Sequence, residues 1–454
     1  MVRDLIARTD LPRHPQKEAV PARVEVEFLL QAAAEVEHQF VLEYLYAFYS
    51  LDQAAPAPAS DWAARLRKNA VEEMGHLITV QNVLLCIGSQ PYLERAGTLQ
   101  ASVEPFPLNL VPFSRDFVVR FLIAESPSPD KVPAGIDPEL SKSINRVGAL
   151  YAMLTWMFFF SDEEAQAGGM PNDGTFPAGR HLGPADFATS DILAHRINGP
   201  GPWLAFQLLV LPKAPAANES PDLIAAAVRD ALGKVSEQGE GIALGSTEID
   251  PNSHFGRLSA TFNEISQLPT GSVLPVLPVP SNPHVSDQPD DTTRIKARDS
   301  VFLARALNLR YAVLLQLIAI AVFTSDTLVV TVGGIAQNVM SKVAGSATGF
   351  GNEMSTGIRA LSTKLVTMPR TDDNPATAEA AGPPFALPDP PLPDTERARW
   401  KNLLALLTQY DVLIADATAA GIAADVLNLM RAAAAKAPDH RQLADAVLAA
   451  LPAE

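Results

Sequence analysis

Asn69-Ala70-Val71-Glu72-Glu73-Met74-Gly75-His76-Leu77-Ile78-Thr79-Val80 is the stretch that decides how this chain is read. Within residues 61–88, Leu66, Ala70, Glu73, Leu77, Val80 and Leu84 recur at three- and four-residue steps and mark one face of a helix. His76 follows Glu73 by one turn on the same side. A carboxylate in a buried apolar stripe is costly unless paired or metal-bound, because a desolvated charge loses several kcal/mol or changes its protonation state. Glu73 and His76 therefore ask for a cation. With 51 Asp+Glu and 8 His in 454 residues, an acid three positions before a histidine is expected about once by chance, so the spacing alone proves nothing. The placement of further residues has to decide.

Working outward, residues 22–52 repeat the pattern with Leu30, Ala33, Glu37, Val41, Tyr44 and Phe48. The breaker Ala54-Ala55-Pro56-Ala57-Pro58-Ala59-Ser60 makes the two segments antiparallel neighbours. At about 1.5 Å per residue, Glu37 and Glu73 both lie roughly 20 Å from that turn, so they arrive at one level. A second pair of helices is signalled further on. Ser220-Pro221-Asp222 starts a helix running from Leu223 to Leu244, and Asp250-Pro251, with Asp250 as N-cap, starts another through His254, Leu258, Thr261, Ile265 and Leu268. Together these segments supply the carboxylates and imidazoles from which a carboxylate-bridged di-metal site is built in a four-helix bundle.

The third helix fits this scheme imperfectly. At about 100° per residue, a stripe of Ile224, Val228, Val235 and Ile242 leaves Glu240 roughly 140° away and Glu237 on the opposite face. Gly239 and Gly241 flank Glu240, and each weakens a helix by about 1 kcal/mol relative to alanine. A π-bulge or tightened turn at 238–241 that swings Glu240 toward His254 and Glu73 is therefore expected. The ordinary alternative for Glu37 and Glu73 is an interhelical salt bridge. Glu35, His38 and Glu43 fall off the stripe and read as surface or supporting groups. Tyr44, Tyr46 and Tyr49 read as core, although a tyrosine beside a redox metal can carry an electron or orient a substrate.

The strings Ala33-Ala34-Glu35-Val36-Glu37-His38, Tyr44 through Leu51, Glu72-Glu73-Met74-Gly75-His76-Leu77, Glu237-Gln238-Gly239-Glu240-Gly241 and Ser253-His254-Phe255 have a familiar counterpart. In this order they resemble the ferritin-like proteins grouped with iminophenyl-pyruvate dimer synthase, which couple two amino-acid-derived imines oxidatively in violacein- and rebeccamycin-type pathways. The likeness continues through Phe106-Pro107-Leu108 and Ala381-Gly382-Pro383-Pro384-Phe385. The resemblance implies an all-α, ferritin-like four-helix bundle with metal ligands at Glu37, Glu73, His76, Glu240 and His254, with Glu237 as the other third-helix candidate. It has two departures. Pro251 stands where the fourth helix of ferritin-like proteins carries a glutamate, three residues before the histidine, and Phe40-Val41-Leu42-Glu43 replaces a Thr-Ile-Pro-Pro string beside the first helix.

A carboxylate-rich site with two imidazoles suits ions that cycle between +2 and +3, with open positions for dioxygen or peroxide. The expected function is a non-haem oxidoreductase with two iron ions, or manganese in their place, acting on a small amino-acid-derived metabolite. A metal-binding bundle without turnover and a structural or interaction bundle are the alternatives. The proline clusters place a boundary near 290: residues 1–289 form the bundle, with a crossover insertion at about 89–219, and 290–454 form a helical C-terminal region. Helical patterns there lie near 298–324, 327–345, 353–367, 394–419 and 421–450. The crossover, with Trp156 and Trp203, is the material for a pocket reaching the metals from the side of residues 100–210.

Net charge −16 and pI ≈ 5.0 disfavour nucleic acid and anionic membrane surfaces as partners. A homo-oligomer is compatible with the composition. The single cysteine, Cys86, excludes an intramolecular disulfide and sits among Leu84, Leu85 and Ile87 as a small apolar residue. Met1 to Lys17 carries scattered charge without an apolar core, unlike a signal peptide. Tyr311 to Val330 is strongly apolar but broken by Gln316, Ser325 and Asp326, which favours a buried helix over a membrane span. A soluble, cytoplasmic protein is expected.

Overall fold

Helix α1 (Ala22–Ser50) and helix α2 (Ala59–Cys86) form the long antiparallel hairpin expected from their stripes. The computed structural model describes residues 11–95, 103–187, 220–241, 248–286, 292–324, 328–345, 349–372, 379–389 and 391–451, apart from positions 12 and 104. From Ala32 to Leu51 every residue of α1 and its C-cap is buried, so this helix is covered on all sides rather than along one stripe. Glu35, His38 and Glu43, read from the pattern as surface or supporting groups, are inside. The Tyr92 hydroxyl donates to Glu35, Nε2 of His38 meets the Tyr311 hydroxyl, and the Asn109 amide donates to Glu43 at 2.7 Å. Their burial has one physical cause. Segments from the crossover and the C-terminal region lie over faces of α1 that an isolated bundle would leave to water.

The crossover contains α3 (Arg115–Ala124), α4 (Pro138–Ser143), α5 (Val147–Met157) and α6 (Asp162–Ala167). Ser114 caps α3 by accepting from the Phe117 amide, and Ser161 caps α6 through Glu164. Helix α5 packs between α1 and α7 (Pro221–Glu240), and α7 in turn reaches α2. The crossover thus contributes a helix to the ring around the site and is more than a wall. Helix α8 (His254–Ser266) packs mainly on α3 and also touches α7 and α2.

Two element boundaries differ from the sequence reading. Helix α7 stays α-helical through Glu240 and stops at Gly241, whose φ of 80° is left-handed and whose amide donates to the Glu237 carbonyl at 2.9 Å. No bulge forms at 238–241, and the expected end at Leu244 lies outside the described residues, as does Trp203. At the start of α8 the N-cap is Ser253 rather than Asp250. The Ser253 hydroxyl accepts from the Gly256 amide at 2.9 Å and donates to the Asp250 carbonyl at 2.8 Å, so Asp250 and Pro251 belong to the preceding turn and His254 is the first helical residue.

The C-terminal region begins with α9 (Arg298–Phe323), which is long and apolar enough to cross a membrane by length and composition but is mostly buried in the protein. Residues 327–345 were expected to be helical. The structure instead has an antiparallel hairpin, β1 (Val329–Val332) and β2 (Ile335–Asn338), followed by α10 (Val339–Ala344). Gly333 and Gly334, with φ of 56° and 80°, form the two-residue turn that twists such strands together. A π-helical turn, Glu353–Ile358, leads into α11 (Arg359–Leu365), and α12 (Glu396–Ala419), α13 (Ala424–Ala433) and α14 (Ala437–Ala450) complete the chain. One apolar core runs from α1 through these helices.

Candidate metal centre

Glu73 lies between two imidazoles. Its Oε2 is 2.8 Å from Nδ1 of His76, and its Oε1 is 3.0 Å from Nδ1 of His254. Glu37 comes in from α1, with Oε2 3.4 Å from the same His76 nitrogen, as the equal distances from the turn require. The two rings have centroids 5.3 Å apart. One ligand atom from each of Glu73, His76 and His254 can be chosen so that all lie within 4.8 Å of one another, and all three side chains are buried. Glu73 thus offers one oxygen to each imidazole, and it would be one of the residues to hold a metal here.

The outer nitrogens have their own partners. Nε2 of His76 lies 2.9 Å from Oε1 of Gln238, and Nε2 of His254 lies 3.1 Å from Oε2 of Glu72. Arg257 holds Glu72 through one terminal nitrogen and donates from Nε to Asn69 at 2.6 Å. With protons on the outer nitrogens, both Nδ1 atoms face inward with lone pairs available for a cation.

Glu240 reaches the site from the last turn of a regular helix. It lines a small cavity with Glu37, Glu73, His76, Glu125, Tyr151 and neighbouring residues of α5 and α7. The cavity measures about 10 Å³, the scale of one water or ion. Two glycines make room for the carboxylates. A Cβ on Gly148 of α5 would lie 1.2 Å from Oε1 of Glu240, and one on Gly239 would lie 3.0 Å from Oε2 of Glu125. Tyrosines complete the wall: Tyr151 donates to Glu37, and Tyr44 donates to Glu125 at 3.0 Å.

Burial and mutual charge dominate the electrostatics. Burial raises Glu37, and the Glu73 charge adds to it, to about 7. Burial alone would lower His76, but hydrogen bonds and charges from Glu37 and Glu73 override it and hold the imidazole at about 10. His254 is raised well above its usual range against the same burial, chiefly by Glu73 and Glu125. Despite burial, Glu73 is lowered by His254, and Glu72 falls to about 2 under the influence of His254 and Arg257. Glu240 is raised well above the usual range by burial, with the Glu125 charge adding to the shift. The carboxylates thus favour protonated imidazoles at His76 and His254, and burial favours the neutral form of Glu240.

The donor set fits a hard or borderline metal ion. Oε1 of Glu240 is buried and has no hydrogen-bond partner among the described residues, whereas Oε1 of Glu73 is held by His254. Buried carboxylate oxygens are ordinarily hydrogen-bonded, so the Glu240 oxygen beside this cavity calls for another partner.

Of the residues singled out in the sequence, the structure brings Glu37, Glu73, His76, Glu240 and His254 together. Glu237 is exposed on α7 and takes no part. The reason is geometric: three residues before Glu240 on a regular helix points about 60° away, toward solvent. Sequence reasoning missed Glu72, Glu125, Tyr151 and Gln238. Glu125 carried a usable signal, since Phe117, Phe121 and Glu125 recur at four-residue steps, the pattern that exposed Glu37 and Glu73.

The fold is a largely helical bundle, and it holds a buried carboxylate–imidazole cluster among α1, α2, α7 and α8. Residues 30–176 match the family model described as ferritin-like. That segment spans most of α1, all of α2 and helices α3 to α6, while Glu240 and His254 lie beyond it. A crystal structure of a ferritin-like protein from Caulobacter vibrioides is similar at 16% identity, with a TM-score of 0.42, covering 80% of this chain and 97% of that chain. No curated protein matches the chain.

Proposed function

We propose that this protein is a non-haem di-metal oxidoreductase, with iron as the first candidate and manganese the second, acting on a small amino-acid-derived metabolite. It resembles the iminophenyl-pyruvate dimer synthases in its ordered motifs. The observation that carries the proposal is the buried Glu73–His76–His254 cluster, with Glu37 and Glu240 on the same cavity and a Glu240 oxygen without a hydrogen bond among the described residues. Glu37, Glu73, His76, Glu240 and His254 would hold the metal. When bound, such ions supply one-electron redox steps and open positions for dioxygen or peroxide.

The chain's own residues have definable tasks. Gln238 and Glu72 fix the imidazole tautomers, Arg257 keeps Glu72 anionic, and Tyr151 orients Glu37. Phe40 and Val235, with the close-packed α1 and α5, keep bulk water from the cavity. That exclusion strengthens every interaction inside it.

Metal analysis of protein purified without chelator, with oxygen uptake measured on amino-acid-derived imines and related acids, tests the proposal. Two equivalents of metal and substrate-dependent oxygen uptake are expected. Metal-free protein that takes up neither ion would sink it. One observation favours a second reading, metal binding without turnover: the cavity at the cluster has room for an ion but not a metabolite. Stoichiometric metal without oxygen uptake on any such substrate would select that reading.

A larger cleft, about 550 Å³, lies away from this chemistry at the start of α9 and is lined by Arg298, Asp299, Lys364, Asp372 and Asp425 among others. Charged groups there are engaged with the protein: Lys364 bonds Asp425 at 2.8 Å, and Asp299 accepts from the Ala423 amide at 3.1 Å. The cluster between α1, α2, α5 and α7 is therefore the better functional site.

A further inference from the structure

The second imidazole-bearing helix lacks the carboxylate that a Glu-x-x-His pair would provide, because Pro251 stands three residues before His254. The structure places another carboxylate there. Glu125, the residue that ends α3, is buried, and its Oε1 lies 3.2 Å from Nδ1 of His254, the nitrogen that also faces Glu73. We propose that Glu125 is a metal ligand of this centre and supplies, from the crossover, the carboxylate that α8 cannot.

Three observations support this assignment, which rests on the di-metal reading above. The first is location: Glu125 lines the same cavity as Glu37, Glu73, His76 and Glu240, and it shares that cavity with the residue whose Oε1 has no hydrogen bond among the described residues, Glu240. The second is support. Tyr44 donates to Glu125 Oε1 at 3.0 Å, and Gly239 leaves the space that its Oε2 fills. Glu125 is thereby aimed at His254 by α1 and α7 together, the kind of second layer that orients ligands.

The third observation is charge. Glu72 is already matched by Arg257, so it adds nothing net to the cavity. Glu37, Glu73, Glu240 and Glu125 remain, and as carboxylates they bring a charge of about −4, which balances two divalent ions. Without Glu125 the buried centre would keep an uncompensated positive charge when loaded. The end of α3 has a second consequence for the site: α8 packs on α3, so His254 and Glu125 are positioned by one helix pair.

The test is a titration of the full-length protein with Mn(II), followed by calorimetry and by the EPR signal of unbound metal. Wild type is expected to bind two ions. Glu125→Gln, which keeps the side-chain size but removes the charge, is expected to bind one with unchanged affinity and the other at least tenfold more weakly. Glu237→Gln, altering an exposed residue, serves as the control and binds both as wild type. If Glu125→Gln also binds both ions as wild type does, the assignment of Glu125 is overturned while the di-metal reading stands. A wild-type protein that binds no metal overturns both. Circular dichroism monitors folding, and should Glu125→Gln fail to fold, Glu125→Asp takes its place. That variant keeps the charge but shortens the reach by one methylene, so the same ion should bind at least threefold more weakly, and unchanged affinity would again overturn the assignment.

Discussion

Gly148→Ala should separate the metal site from the fold. A Cβ at this position would lie 1.2 Å from Oε1, 2.2 Å from Cδ and 2.7 Å from Oε2 of Glu240, so the entire carboxylate must leave its present place. The atoms struck are the far end of a flexible side chain, and the α5 backbone need not move. Alanine is favoured over glycine within a helix by about 1 kcal/mol, against about 1–3 kcal/mol for inserting a methyl group into a filled space. Expelling Glu240 also relieves the burial that raises it well above its usual range. The metal-free variant should therefore unfold within about 2 kcal/mol of wild type. Binding should suffer more. Loss of one ligand carboxylate is expected to weaken metal at least tenfold, about 1.4 kcal/mol. At free metal equal to one hundred wild-type Kd, bound metal stabilises wild type by about 2.7 kcal/mol, and the variant by about 1.4 kcal/mol or less. Urea denaturation with and without Mn(II), at matched free metal, reads both quantities. A metal-induced gain in Gly148→Ala equal to that of wild type would refute the place given to Glu240.

Glu73→Ala and His76→Ala are each expected to remove most bound metal with the helical circular dichroism spectrum retained, and unchanged stoichiometry in both would reject the centre. The metal-free protein should show opposed pH limbs. His76, raised from 6.5 to about 10, contributes stability that is present below pH 6.5 and lost as pH rises toward 10, whereas Glu72, lowered to about 2, contributes stability lost as pH falls from 4.5 to 2. Denaturation midpoints that stay flat from pH 6.5 to 10 would contradict the first limb, and saturating metal should abolish it because the imidazole proton has already been displaced. Metal affinity should accordingly increase with pH across the same interval, as titrations at several pH values would show. In the C-terminal region, Glu353→Ala leaves Arg310 buried without its carboxylate and should cost about 3–5 kcal/mol in a denaturation curve while metal stoichiometry stays at the wild-type value.

What was legible in the sequence was what repeats. The stripes of α1 and α2, the breaker between them and the Ser220-Pro221 start of α7 are local signals, and the structure places each element where they said. The levels of Glu37 and Glu73 follow from residue rise alone, and the contact of both with His76 shows how far that arithmetic reaches. Burial of Glu35, His38 and Glu43 was not legible, because it depends on Tyr92, Tyr311 and Asn109, which are remote in sequence or belong to irregular segments. The β1–β2 hairpin was masked for another reason. Val329 to Asn338 is a short apolar stretch next to α9, and periodicity cannot separate a brief strand pair from a helix; only Gly333-Gly334 marked the turn.

Glu240 reaches the cavity without the backbone distortion expected at 238–241. Ile224, Val228 and Val235 set one apolar direction of α7, and on that axis Glu240 points away. A backbone defect was then needed to turn it inward. The structure has no such defect, and the helix is regular through Glu240. What was missing was a second buried direction: α7 faces α5 as well as α2, and the side of α7 that looks away from its own apolar stripe looks at Gly148. The two glycines that flank Glu240 have other tasks: Gly239 clears space for Glu125, and Gly241 ends the helix. The cluster is therefore built against the crossover, which supplies Gly148, Tyr151 and Glu125, and its geometry is coupled to the packing of a segment that a bundle of α1, α2, α7 and α8 alone would not contain. Substitutions confined to the α5–α7 contact should for that reason change metal binding before they change helix content.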